Sequence, residues 1–185
     1  MKSATIKGSM LSVAIGGFRE VPIESFVSLF TIVSAAASPE QFQLLDAEKV
    51  AGWNHLYMAV VNAVKRIDNG TAISKNLPVE TLITVSCQDQ ITKSFETLGV
   101  NSSTRNLAII VFSNDIFEAE KSFKRVEEKL GHSDDTVLQM SPAKYETLKR
   151  LFGIKELEIK ALGIDASEAL TSILVERGAL LSLNR

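Results

Sequence analysis

Between residues 9 and 130, apolar runs of strand length alternate with apolar residues at helical spacing. That alternation most constrains the fold. Ser9 to Phe18 is strand-like, SMLSVAIGGF, with two glycines near its end. Pro22 suits the first turn of a helix carrying Phe26, Leu29, Phe30 and Val33. Gln41 to Leu44 alternates polar and apolar, which favours a half-buried strand, although Leu45 breaks the pattern. Trp53, Leu56, Val60, Val64 and Ile67 make one helical face, and Asn69-Gly70 stops it. Leu82 to Val85 is β-branched enough for a strand. Ile91, Phe95 and Leu98 then form the stripe of a helix ending at Gly99. Leu107 to Phe112 is the most apolar strand candidate and is expected to be central. Ile116, Ala119, Phe123, Val126 and Leu130 follow at helical spacing, with Gly131 as the stop.

After His132 the character becomes helical. Pro142 opens a helix with Tyr145, Leu148, Leu151 and Phe152. A short segment follows from Lys155 to Leu162. Asp165 and Glu168 stand at capping-box spacing before Leu170, Ile173, Leu174 and Leu181. The expected fold is α/β, one domain over residues 1–185. A mixed sheet is flanked by helices, and the C-terminal third is mainly helical.

The chain has 185 residues, enough for one sizeable core. Its formal charge of −2 gives no strongly basic surface for non-specific nucleic-acid binding. Cys87 is the single cysteine, so no intramolecular disulfide forms. This fits a reducing compartment, and the N-terminus shows no apolar signal segment, so a cytoplasmic protein is expected. Val27 to Ala37 is apolar but too short to span a bilayer, so no membrane partner is expected. Asn69-Gly70-Thr71 and Asn101-Ser102-Ser103 match the glycosylation pattern but suit turns better.

The stretch Ser86 to Val100, SCQDQITKSFETLGV, is the strongest candidate for a binding site. It is expected to be a small-polar loop where the strand 82–85 ends and a helix opens. Such a place holds a polymer end or an anion by backbone groups and one lysine. It carries no acid/base pair, metal cluster or glycine-rich phosphate loop, so neither a metal nor another cofactor is expected. Gln90, Lys93 and Thr97 share one helix face. Lys93 is placed to meet a phosphate, and Gln90 a base edge or sugar hydroxyl; an ordinary polar face is the plainer alternative. Lys75 and Arg105 are further basic residues for the same end of the domain. Cys87 at a helix start is a conceivable nucleophile, but it needs a base and an orienting group. His55 and His132 lie in no catalytic motif and suit surface or capping positions, and Cys87 suits a packing role. At the C-terminus, Ala166, Leu170, Ile173, Leu174 and Leu181, widened by Val175, Ala179 and Leu180, make an apolar arc that needs cover on more than one side. A partner protein and the chain's own third layer are equal candidates.

These residues resemble the PRPK-binding protein family, the small subunit of the KEOPS (EKC) complex that makes threonylcarbamoyladenosine in tRNA. The resemblance runs from about Val13 to Leu181. It rests on His55-Leu56 at a helix start and Asn69-Gly70. Ile73-Ser74 with Leu77 and Glu80 with Leu82 follow, then Ser86, Gln90, Ile91 and Ser94, and a terminal helix of the type ALTSILVERGALL. The resemblance implies a subunit that is not an enzyme. It would bind the complex's small atypical kinase/ATPase and support it, and hold the single-stranded 3′ CCA end of tRNA. It implies kinase contact around Leu170, Ile173, Leu174, Arg177 and Leu181. It implies RNA contact near Ser86, Gln90, Ile91 and Lys93. Family members often carry a glycine and basic residues before the glutamine. Here stand Cys87, Gln88 and Asp89, and Asp89 repels phosphate. A structural adaptor without RNA contact and a small thiol enzyme are the alternative classes.

Overall fold

The computed structural model describes residues 1–22 and 24–183. In chain order the first half gives β1 (Lys2–Thr5), β2 (Ser12–Phe18), α1 (Phe26–Ala37), β3 (Gln41–Asp46) and α2 (Trp53–Asp68). Then come α3 (Leu77–Ser86), α4 (Ile91–Leu98), β4 (Leu107–Ser113) and α5 (Ile116–Leu130). The last third is helical: α6 (Pro142–Leu151), α7 (Glu156–Ala161) and α8 (Ala166–Ala179). The class is therefore α/β, with a four-stranded sheet and a mostly helical C-terminal third. Two compact units divide the chain. A sheet unit comprises Met1–Ala47 and Gly99–Val137, and a helical unit comprises Glu48–Leu98 and the chain from Leu138.

In the sheet unit the strand order is β1-β2-β4-β3, and all three pairings are antiparallel. The expectation of a mixed sheet is corrected in this respect. Strands β2 and β3 both run opposite to β4, so they are parallel to each other but paired only through β4. Helix α1 makes the crossover between them, a split version of the βαβ connection. This arrangement produces the alternation seen in sequence without any hydrogen-bonded parallel pair. The N-terminal strand β1 forms a hairpin with β2 and has no counterpart among the sequence expectations; its four residues are partly exposed and offer no apolar run.

One pleat face of the sheet packs on α1 and α5. Ala14, Phe18, Leu44, Leu107, Ile109 and Val111 meet Leu29 and Val33 of α1 and Ala119, Phe123 and Val126 of α5. The rings of Phe18 and Phe123 stack with centroids 5.6 Å apart. Gly16 lets α5 come close, since a Cβ there would lie 2.6 Å from Phe123 Cζ. Helix α1 begins at Phe26, capped by the Ser25 side chain, so Pro22 lies outside it rather than in its first turn.

In the helical unit α2 packs on α3 and α8, and α3 also touches α8. Leu148, Ile154, Ile159, Ala169, Leu170, Ile173 and Leu174 share one core with Ala51. The expected strand over Leu82 to Val85 is the second half of α3. Asn76 caps this helix, its Oδ1 accepting from Val79 N at 3.1 Å, and Pro78 stands in the first turn. Cys87 closes it in the left-handed region at φ 53°. Pro78 and every residue from Glu80 to Ser86 are buried. A helix buried on all sides shows no 3.6-residue period, so its β-branched residues mimic a short strand. Among the described residues, no helix is long and apolar enough to cross a membrane.

Candidate functional site

The candidate loop lies between two helices, since α3 runs to Ser86. The left-handed turn at Cys87 sends the chain through Gln88, Asp89 and Gln90 into α4. Ser86 is fully buried. Its Oγ donates to Ile83 O at 2.9 Å, lies 2.9 Å from Ser94 Oγ and accepts from Gln88 N at 3.3 Å. It staples the turn from inside and is not a surface contact, which corrects the expectation for that residue.

Gln90, Ile91 and Lys93 are exposed together at the start of α4. Ile91 and Phe95 are each 42 % exposed, whereas Ser94 and Leu98 face inward. The expected buried stripe of Ile91, Phe95 and Leu98 is thus only Leu98. The outer face of α4 joins an amide, a lysine and two large apolar side chains. Thr97 Oγ1 donates to Lys93 O at 2.7 Å and is spent on its own helix.

Lys75 is exposed in the loop before α3. Its two preceding residues are fixed from below, where Glu80 Oε2 accepts from Ile73 N at 3.0 Å and from Ser74 N at 2.8 Å. Glu80 Oε1 accepts from Arg66 Nε at 2.7 Å, and Arg66 Nη1 donates to Gly178 O at 2.7 Å. Arg66 Nη2 also bonds Thr84 Oγ1. This buried pair ties α2, α3, α8 and the Lys75 loop together. It escaped the sequence reading, yet Arg66 follows Leu56, Ala59 and Ala63 at helical spacing, and Glu80 interrupts an apolar run. Arg105 is exposed before β4 and belongs to the sheet unit, so it is not joined to the α4 face within one unit.

The C-terminal stripe faces inward. Leu170 and Leu174 are fully buried, and Ile173 and Leu181 are each 7 % exposed. The first three belong to the core of the helical unit, so the chain's own layer, one of the two equal candidates, covers them, which corrects the partner contact that the resemblance implied for these three. Arg177 is half-exposed. Its Nη1 donates to Phe152 O and its Nη2 to Glu158 Oε2, both at 2.7 Å. A backbone hydrogen bond from Lys155, then that from Arg177, holds the Glu158 carboxyl below its ordinary range. Beside it is a surface pocket of about 270 Å³, lined by Cys87, Gln88, Leu151, Phe152, Arg177, Leu180 and Leu181. Leu151 and Leu180 remain 38 % and 40 % exposed at this pocket.

Cys87 Sγ lies 3.4 Å from Leu174 O, to which the thiol donates. Burial pushes the thiol up to about 12, against the opposing pull of Arg177 and Arg66. A thiol held protonated is a poor nucleophile. His55 is buried rather than on the surface. Its Nδ1 accepts from Ala51 N at 3.1 Å, and burial, then Lys144, lowers its pKa to about 4. His132 is exposed. No group of three His, Cys, Asp or Glu among the described residues has the placement of a metal site.

The α/β fold thus presents an amide–lysine–apolar helix face and a small pocket of mixed polar and apolar lining beside a fixed arginine, surfaces suited to binding. The profile of the family described as "Kinase binding protein CGI-121" matches residues 24–181. The chain belongs to that family, and the resemblance read from its motifs is borne out. It is also similar to the EKC/KEOPS complex subunit CGI121 of Coccidioides immitis (strain RS). That likeness is 27% identity over 73 residues, 40% of this chain and 35% of the relative. The chain therefore matches about a third of the relative's length.

Proposed function

We propose that this chain is a non-catalytic subunit of a KEOPS complex. In this reading it binds the atypical kinase/ATPase subunit and presents the 3′ CCA end of tRNA for N6-threonylcarbamoyladenosine formation. The observation that carries the proposal is the family match across residues 24–181, whose description is that of a kinase-binding protein. Two surfaces support it. The pocket rim of Leu151 and Leu180 offers exposed apolar contact next to Arg177. The α4 face offers Gln90, Ile91, Lys93 and Phe95, with Lys75 as a further exposed cation.

A CCA end is unpaired, so flat bases can rest on apolar side chains while one lysine meets phosphate. A protein of formal charge −2 needs few such contacts if basic partners share the strand.

Intact and CCA-trimmed tRNA should be titrated against the chain, with its kinase-like partner present, at two salt concentrations. Intact tRNA is expected to bind tighter. Lys93→Glu should weaken it and lower the salt slope by about 1, the loss of one phosphate contact. Equal affinity for both RNAs would remove the end-binding part of the proposal. It would leave a protein adaptor, the reading that Asp89 beside Gln90 favours.

A further inference from the structure

Helix α1 carries twelve residues, FVSLFTIVSAAA, without a charge. Leu29, Val33, Ala36 and Ala37 bury one side. The other side is uncharged and largely apolar, with Phe26 43 %, Val27 72 % and Phe30 46 % exposed beside Thr31 and Ser34. Phe26 and Phe30 have ring centroids 5.8 Å apart, and Phe30 lies 5.1 Å from Phe42 of the edge strand β3. A helix facing water ordinarily carries polar and charged residues there. A contiguous apolar patch of this kind marks an interaction site.

The chemistry of the patch selects its occupant. Helices that lie on lipid carry Lys or Arg along their polar face, and α1 has neither. Two rows of its exposed residues instead form a size gradient, with Ile32, 42 % exposed, beside them near the helix midpoint. Along one row Phe26 and Phe30 are followed by Ser34 and Ser38, and along the next Val27 is followed by Thr31 and Ala35, all exposed. Two antiparallel copies of α1 would lay each large half on the other's small half.

The flanking charges agree with that direction. Glu24 is exposed just before the helix. At the other end Arg125 donates from Nε to Ala36 O and from Nη2 to Ser38 O, both at 2.8 Å. Among the described residues its Nη1 donates to nothing. Antiparallel pairing brings Glu24 of each copy toward Arg125 of the other and opposes the two helix dipoles. Glu40 stands at the same end as Arg125 and tempers this attraction.

We propose that the outer face of α1 is a self-association surface that pairs two copies of this chain about a two-fold axis, with the helices antiparallel and Phe30 over Ser34. The helix is only about 18 Å long. Such a contact falls short of the roughly 1,600 Å² of a standard stable interface. The dimer is therefore weak and concentration-dependent.

The test is sedimentation equilibrium of the full chain from micromolar to near-millimolar concentration. Wild type is expected to move toward dimer. Val27→Glu, at a position already open to water, should keep its circular dichroism and raise the half-dimer concentration at least about tenfold, because it puts a charge into an uncharged contact. In a Cys87→Ser background, Thr31→Cys near the axis should cross-link on oxidation and Val27→Cys should not. A monomer at every concentration would overturn the proposal, as would a dimer indifferent to Val27→Glu. A Val27→Cys cross-link would overturn the antiparallel arrangement. Loss of kinase-partner binding in Val27→Glu, with no self-association in wild type, would assign the face to that partner instead.

Discussion

His55 shows how one side chain ties stability to pH. Its ring is buried, its Nδ1 accepts a backbone hydrogen bond, and Lys144 adds to the penalty on the charged form. The folded pKa is about 4 and the ordinary value 6.5. Between those values the unfolded chain holds the proton and the folded chain does not. Stability from this residue is therefore complete above about 6.5 and is lost as the pH falls through the interval toward 4. The full effect is about 3 kcal/mol. Urea unfolding of wild type and His55→Asn at pH 7 and pH 4.5 should show it. The variant keeps an acceptor for Ala51 N but has no proton to gain, so its stability should fall less between the two pH values. Parallel falls would remove His55 as the cause. Sequence alone assigns this histidine a surface or capping position and does not show its burial. Nothing in its spacing separates a histidine at a helix start from one inside it, because burial is decided by the elements that arrive later in the chain.

At the scale of elements, α3 is tied to its neighbours by a buried ion pair as well as by apolar packing. Glu80 accepts from Arg66 Nε with one oxygen and from Ile73 N and Ser74 N with the other. Glu80→Gln can keep a carbonyl for the loop amides, but it then turns an NH₂ donor toward the guanidinium. The buried arginine loses its counter-charge, and the expected cost is about 3–5 kcal/mol. Denaturant melting should register it as a lower midpoint, and an unchanged midpoint would show that the pair contributes little. The same helix marks where the sequence was not legible. Asn76 and Pro78 open the helix in the structure, but the sequence reading gives no helix start there, because Leu82 to Val85 favours a strand by local propensity. Tertiary packing wins because α2 and α8 both cover α3. By contrast α2, α5 and β4 were legible, because an amphipathic face or an unbroken apolar run shows itself in spacing. At the candidate site, Gln90 and Lys93 were legible as an exposed pair. Ser86 was not, since its partner Ser94 lies eight residues on and only the turn at Cys87 brings them together.

For the whole molecule, the sequence pattern carried the α/β class but not the strand pairing. Alternating strands and helices suit a parallel sheet, and they suit equally a sheet in which β4 inserts between β2 and β3. The same limit applies to the C-terminal arc, whose breadth showed that it needs cover without saying whose. Packing now separates two kinds of leucine and isoleucine there. Ile173 lies in the core of the helical unit, whereas Leu180 borders the pocket and is 40 % exposed. Ile173→Glu places a charge among apolar side chains and should cost several kcal/mol, about the stability of a domain. Its circular dichroism melt should broaden or vanish, and any lost binding would then report unfolding. Leu180→Glu leaves the core intact and should melt like wild type. If the pocket rim meets the kinase-like subunit, calorimetry should show affinity for that partner falling about tenfold or more, as for loss of a buried apolar anchor. A folded Leu180→Glu variant with undiminished affinity would move the kinase contact away from this pocket, while a folded Ile173→Glu variant would contradict the packing of α8 itself.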